Sequence, residues 1–376
     1  MQVYNEKIDT PVTAYPLSLI ASPEEVLYVD IETTGLSPER DRVYLVGCAY
    51  LQQGAWQLIQ WFDETGDTES DILTSFLVFA RKYKAFLHYN GDRFDLPFLR
   101  TRIEKCGLDK ALHGLKVLDE KRSVDLFRVL KPYRKLLSLP NYQQQTVEAF
   151  MGSGRVEERS GGDLIQVYRA FIAAKNEEME RDLLGHNAAD VRGLIAITPL
   201  LSLPDVFAKP FNVYKAQANH YRGFDGSAQE EIILFARIEG VPENAIPRPI
   251  VQTVDGCYCK VQGNEVTIKV PLYHGELKFF YANYREYYYL PDEDQALHKS
   301  IASFVDKSHR VQATAENCYT RKKGDFLPEW EQFRTPFFKH GYKDRYAYFE
   351  FTDAMKRDKK FFCDYAEYVF RHIIAQ

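Results

Sequence analysis

The sequence predicts an α/β domain over residues 1–204, followed by an aromatic-rich α+β domain over residues 205–376. Two observations place the first domain in that class. Strand patterns at 26–31, 43–51 and 57–62 follow one another across short turns, Gln53-Gly54 among them, and a further strand pattern at 85–89 then alternates with helical ones. The first of these strands also carries two carboxylates, Asp30 and Glu32, separated by one residue. A third observation sets the boundary. Of the 53 aromatic residues, 32 lie beyond Pro204, so the two parts are built from different material.

In order along the chain, the run V-L-Y-V-D-I-E-T-T-G-L reads as a buried strand that ends in acids, with Gly35 turning the backbone just past them. The 3.6-residue spacing of apolar positions predicts helices over 69–83, 96–106 and 164–174. A last helix is expected over 177–201, broken near Gly185 so that His186 starts a fresh segment. The Gly-rich, charged stretch 151–163 reads as a loop. In the second part, 256–261, 265–270, 275–281 and 344–351 alternate like strands, and helices are expected at 292–305 and 356–374. Pro242, Pro247 and Pro249 mark a loop between a first helix of this part and its sheet. The run Y-A-N-Y-R-E-Y-Y-Y admits two readings, a stacking platform for unpaired bases or the filling of a half-buried sheet.

Residues i and i+2 of a strand share a face, so Asp30 and Glu32 can converge on a hard divalent cation. Two more motifs follow. N-G-D-R-F-D supplies Asn90, Phe94 and Asp95 where a helix opens, and H-N-A-A-D places His186 and Asp190 one helical turn apart. Each alone has an ordinary explanation: a solvated turn, a helix cap, a surface pair. Their joint occurrence in this order is what points to metal chemistry. Asp125, in S-V-D-L-F, is either a group near the substrate or a polar residue ending a strand.

This ordered set resembles the DEDD exonucleases of the ribonuclease H-like superfamily, and its wording is most similar to the YprB-type branch, over roughly residues 22–204. The resemblance implies a ribonuclease H-like mixed sheet flanked by helices. It further implies metal ligands at Asp30, Glu32, Asp95 and Asp190, with His186 beside an attacking water, and two Mg²⁺ or Mn²⁺ ions. The implied activity is 3′–5′ hydrolysis of a nucleic acid with a free 3′ end, DNA being favoured and repair a suitable setting. Thr33, Asn90, Phe94 and Arg155 are the candidate substrate contacts in this part. The spacing departs from the widespread His-type pattern, because three residues rather than four separate His186 from Asp190. The reading from a different class is a catalytically inactive binding or scaffold protein on the same core.

The net charge of −5 argues against a protein that coats nucleic acid without regard to site. Residues 1–204 hold 24 Lys or Arg against 29 Asp or Glu, and residues 205–376 hold 24 of each, so the acid excess sits with the motifs. Basic runs that could grip phosphates, or be solvated faces, are Lys131, Arg134 and Lys135, and, in an expected loop, Arg321, Lys322 and Lys323. Six cysteines without paired spacing read as free thiols, and a zinc site at Cys257 and Cys259 lacks a second ligand pair. With no transmembrane-length stretch expected and no basic-then-apolar leader in M-Q-V-Y-N-E-K, a cytoplasmic protein without membrane contact is expected.

Overall fold

The computed structural model describes residues 1–9, 13, 15–154, 161–223, 225–243, 246 and 248–375. Two compact units emerge, one of Met1–Ala208 with Val241–Arg248, the other of Lys209–Gly240 with Pro249–Gln376.

Among the described residues, the first unit holds a six-stranded mixed sheet in the order β1-β4-β3-β2-β5-β6. Its strands are β1 (Gln2–Ile8), β2 (Val26–Thr33), β3 (Val43–Gln52), β4 (Ala55–Phe62), β5 (Ala85–His88) and β6 (Arg122–Asp125). The meander β2-β3-β4 is antiparallel, the segment 34–42 joining its first pair and the tight turn Gln53-Gly54 its second, whereas β5 and β6 run parallel to β2 because helices return the chain. Strand β1, which lacks a clean alternating pattern in the sequence, pairs along the outer edge of β4.

Helices cover both faces. On one, α1 (Glu69–Ala80) and α2 (Asp95–Lys105) pack Ile72, Phe76, Phe98 and Leu99 against Leu27, Val29 and Ile31. Buried Arg102 ties these helices together, donating to Glu69 from Nη2 at 2.7 Å and from Nε at 2.8 Å, while Val43 N–H also donates to Glu69. Short helical turns then lead to α3 (Gln144–Met151). The opposite face receives α4 (Gly161–Ala174) and α5 (Glu177–Ile197), with Tyr168, Phe171 and Leu183 packed on Tyr44, Leu45 and Phe62.

Helix α5 runs without the expected break at Gly185, where a Cβ would meet nothing within 4 Å. A glycine costs helix stability but does not stop a helix that packing holds. A second correction concerns apolar length. The continuous helical run Glu177–Ala208 contains an 18-residue window long and apolar enough to cross a membrane by composition, with a mean hydropathy of 1.4. That window is 61% buried inside the structure, which accounts for its apolarity as core packing.

Among the described residues, the second unit holds three antiparallel sheets, ordered β7-β8-β11-β10-β9, β12-β16-β18-β17 and β14-β13-β15. Its strands are β7 (Phe211–Arg222), β8 (Ala228–Ile238), β9 (Ile250–Val254), β10 (Cys257–Gln262), β11 (Glu265–Pro271), β12 (Tyr273–Phe280), β13 (Tyr287–Leu290), β14 (Gln295–His298), β15 (Val311–Gln312), β16 (Tyr319–Glu329), β17 (Phe337–Phe338) and β18 (Ala347–Glu350). A long helix, α6 (Lys359–Ala375), packs on the first of these sheets, where Phe370 meets Phe211 with ring centroids 4.8 Å apart, while Phe361 and Tyr365 meet Phe349 of β18. The expected first helix is instead the hairpin β7-β8: the stretch A-Q-E-E-I-I-L-F-A-R-I contains helix formers, but pairing with β7 and β11 overrides that local preference. Likewise the helix expected over 292–305 is reduced to Lys299–Ala302, because Gln295–His298 pairs with Tyr287–Leu290. Tyr281, Tyr284, Tyr287 and Tyr289 pack around buried Ala296, Ala313 and Cys318, with Tyr281 and Tyr287 stacked at 4.5 Å. Cys257 and Cys259 are buried in β10, and burial pushes each thiol up to about 12, so both stay protonated.

Candidate metal centre

Strand β2 is central in its sheet, and its pleat sorts its residues. Leu27, Val29 and Ile31 enter the core under α1 and α2, so Tyr28, Asp30 and Glu32 turn to the face covered by α5. A register shift between Glu32 and Thr33 ends the regular ladder there. Just beyond, a Cβ on Gly35 would stand 2.5 Å from the Asp41 carboxylate and would displace it. Thr33 is buried, and its hydroxyl donates to the Gly35 carbonyl at 2.7 Å. Its side chain therefore serves the turn.

Helix α5 delivers the third motif. His186 Nε2 lies 3.1 Å from Asp190 Oδ2 and 3.8 Å from Glu32 Oε1, with the three side chains only 12–18% exposed. Each offers a ligand atom within 4.8 Å of the others. The spacing of three intervening residues thus directs the imidazole into the acid cluster, as i and i+4 share one helical face. Asp95 is the first residue of α2, and its Oδ1 accepts the Ile31 N–H at 3.2 Å, between the two carboxylates of β2.

The electrostatics follow from this crowding. Burial, then the charges of Asp190, Asp95 and Glu32, push the Asp30 carboxyl well above the usual carboxylate range, and a hydrogen bond from Asn187 only partly opposes them. Burial raises Asp95 to about 7 against the pull of its hydrogen bonds to backbone N–H groups, with the charges of Asp125 and Asp190 acting in the same direction as burial. Carboxylates held this close repel one another unless cations or protons neutralise them. Oxygen-rich and anionic, the donor set fits a hard divalent cation.

The second motif is built around a different acid. Asn90 sits at φ 59°, a left-handed conformation that Asn tolerates. Asp125, 5% exposed, accepts the N–H groups of Asn90 at 2.9 Å, Asp92 at 3.3 Å and Arg128 at 3.3 Å. Asp125 therefore fixes the loop that carries the motif. His88, Asp92 and Asp125 form another group with ligand-like spacing. There His88 Nδ1 accepts from Gly91 N–H, and Nε2 bonds the Ser123 hydroxyl at 2.7 Å, so both ring nitrogens are in use. Phe94 packs on Phe98 with ring centroids 5.6 Å apart.

Arg155 lies outside the described residues. Arg321, Lys322 and Lys323 belong to β16, opposite Lys278, Leu277 and Glu276 of β12, not to a loop. Arg321 pairs with Glu276 at 3.3 Å and Lys322 with Glu350 at 2.6 Å. Side chains that were not among the candidate residues complete the centre. Asn187, fully buried, donates to Asp30 Oδ2 at 2.8 Å and accepts from Gln60 Nε2 at 2.8 Å. Gln144 of α3 donates to the Asp190 carbonyl at 2.7 Å and to buried Glu148 at 2.9 Å. Asn187 had one signal, its place directly after His186; Gln144 and Glu148 had none, since only the fold brings α3 to α5.

Residues 27–202 match the family model of the RNase_H superfamily. The ribonuclease H-like domain is the mixed sheet with helices on both faces described above. Solved structures similar to the chain include the family B DNA polymerase from the hyperthermophilic archaeon Pyrobaculum calidifontis, at 14% identity and a TM-score of 0.36 over 69% of this chain and 35% of that one. The zinc-bound E. coli exonuclease I complex with single-stranded DNA gives 11% identity and a TM-score of 0.30 over 57% and 54% of the two chains. E. coli exonuclease I with a dT13 oligonucleotide gives 12% and 0.30 over 58% and 56%. The chain therefore spans between about a third and just over half of these proteins. No curated protein matches it.

Proposed function

We propose that this chain is a metal-dependent 3′–5′ exonuclease of the DEDD type, akin to the YprB branch, acting on DNA in preference to RNA. One observation carries the reading: Asp30, Glu32, Asp95 and Asp190, from three separate motifs, converge on one another with His186 Nε2 among them. Structural acids are rarely gathered in this way, because each raises the cost of ionising the next.

In this reading Asp30, Glu32, Asp95 and Asp190 hold the cations, and Mg²⁺ or Mn²⁺ suits their oxygen atoms. Two bound ions would supply the Lewis acidity that makes a water nucleophilic at neutral pH and stabilises the departing 3′ oxygen. His186 takes the proton from that water at Nε2, the nitrogen that faces Glu32 and Asp190. Asp190, 3.1 Å away, stabilises the imidazolium that results.

In this reading the substrate strand runs over the same domain. A cavity of about 460 Å³ is lined by Arg93, Arg128 and Lys131 together with Asn90, Phe127 and the acids Asp92 and Asp125, beyond the C-terminal ends of β5 and β6, which run parallel to the β2 strand bearing Asp30. Arg128 pairs with Asp92 at 3.4 Å, while Arg93 and Lys131 form no ion pair among the described residues and are the cations we assign to phosphates. The deciding experiment is degradation of 3′- and 5′-labelled DNA and RNA, single- and double-stranded, with Mg²⁺, Mn²⁺ or EDTA. Metal-dependent shortening from the 3′ end, faster on DNA, is the expected result; loss from the 5′ end only, or no metal-dependent loss, overturns the reading.

A further inference from the structure

Asp30, Gly47 and Gln60 stand in one row across the adjacent strands β2, β3 and β4, each registered with the next. The middle member has no side chain, and the space it leaves is filled from the helix above. A Cβ on Gly47 would lie 2.0 Å from Asn187 Oδ1, so the amide of Asn187 occupies that gap. From there its Nδ2 donates to Asp30 Oδ2 at 2.8 Å, and its Oδ1 accepts from Gln60 Nε2 at 2.8 Å. Gln60 is anchored in turn by donating to the Leu184 carbonyl at 2.9 Å. Asn187 is 0% and Gln60 4% exposed, so water does not compete for these bonds.

The direction of the chain of donors has a consequence. The carboxylate of Asp30 accepts only, so it requires the nitrogen of the Asn187 amide; Gln60 Nε2 donates only, so it requires the oxygen. Asp30 and Gln60 thereby fix the amide between them in one orientation. We infer that Asn187, locked by Gln60 across the gap at Gly47, is a positioning residue that holds the Asp30 carboxylate ready for a divalent cation. The inference rests on the metal-dependent reading above. Without the amide, Asp30 would be free to rotate away from the charges of Asp190, Asp95 and Glu32, and each cation bound would have to restore the arrangement.

The test is direct binding of Mn²⁺ to the full chain, followed by the electron paramagnetic resonance signal of the free ion, so that no turnover is needed. Asn187→Ala removes the donor. Gln60→Met, close in shape, keeps the amide but removes what orients it. Leu194→Ala empties buried space on α5, removes none of the hydrogen-bonding groups of this row and serves as the structural control. The expected result is Mn²⁺ affinity weakened roughly 10- to 100-fold by Asn187→Ala, the scale typical of groups that orient a metal ligand. Gln60→Met should shift it the same way by a smaller factor, and Leu194→Ala should lower the melting temperature with Mn²⁺ affinity unchanged. Wild-type affinity in folded Asn187→Ala overturns the positioning role, as does wild-type affinity in Gln60→Met should Asn187→Ala not fold. Absence of Mn²⁺ binding by the wild type is a different result, which removes the metal-dependent reading itself and the positioning role with it.

Discussion

The Asp95 carboxylate accepts the backbone N–H of Ile31 at 3.2 Å, which fastens the start of α2 to the strand at a point between Asp30 and Glu32. One acid thus has two duties, a hydrogen bond that positions the second motif and a charge offered to the centre. They separate by substitution. In Asp95→Asn the amide oxygen still accepts from Ile31, and the negative charge is gone. Its fold should persist with stability equal to or above wild type, since like-charge repulsion falls, while hydrolysis drops by at least about 10²-fold through loss of a ligand. Asp95→Ala loses the acceptor as well. It should be less stable than Asp95→Asn by about 1–3 kcal/mol, the cost of a buried donor left unpaired. Urea unfolding beside single-turnover cleavage measures both; full activity in Asp95→Asn would remove this residue from the site.

His186 provides a second prediction. Its Nε2 lies 3.1 Å from Asp190 and 3.8 Å from Glu32, and in the proposed mechanism it receives the water's proton. His186→Ala should slow cleavage by roughly 10²- to 10⁴-fold, the range for loss of a general base, and leave affinity for an uncleavable strand nearly unchanged. A decrease below about threefold in the single-turnover rate would assign the proton to another acceptor.

How far the sequence could be read depended on the range of the interactions. Strand β2 and the helix starting at Asp95 were legible because their apolar periodicity is strong and their acids interrupt it at a pattern chemistry explains. The spacing of His186 and Asp190 gave their common helical face but not their approach to Glu32, which depends on α5 crossing β2. Nothing local announces that Gln60 and Asn187 meet over Gly47, since they are 127 residues apart and joined only by sheet register and helix packing. The hairpin of β7 and β8 was missed for the converse reason. Its residues have helical preferences, and strand partners on both sides of β8 outweigh them.

A third prediction compares two basic regions. On a single strand, removing one cation that neutralises a phosphate should shallow the slope of log affinity against log salt by about 0.7. Arg93 and Lys131 line the cavity beside the second motif without acidic partners among the described residues, so Arg93→Ala with Lys131→Ala should shallow it by about 1.4. The triple substitution of Arg321, Lys322 and Lys323 by Ala should change it by no more than about 0.7, because Glu276 and Glu350 already engage the first two. Binding in EDTA at several salt concentrations separates the regions. Equal slopes for wild type and the Arg93, Lys131 double variant would exclude that cavity as the strand's path.

The last prediction concerns pH and the second unit. His274 of β12 bonds Asp325 of β16 through Nδ1 at 2.7 Å and Glu230 of β8 through Nε2, linking two sheets of that unit. Burial disfavours the imidazolium, but the hydrogen bonds to Glu230 and Asp325 outweigh it, so the pKa is raised above its ordinary value of 6.5. Lys356 also faces Asp325, at 3.3 Å, and His220 faces Glu230, at 3.5 Å, so neither carboxylate belongs to His274 alone. Because the folded pKa lies above the unfolded one, the stabilisation from this group is complete below about pH 6.5 and is lost as pH rises through the folded value. His274→Gln cannot carry the charge. The stability advantage of wild type over this variant, measured by urea unfolding, should therefore be largest near pH 6 and shrink toward pH 8.5. An advantage that is constant across that range would mean the ring bridges the sheets uncharged, and the link would then be independent of pH.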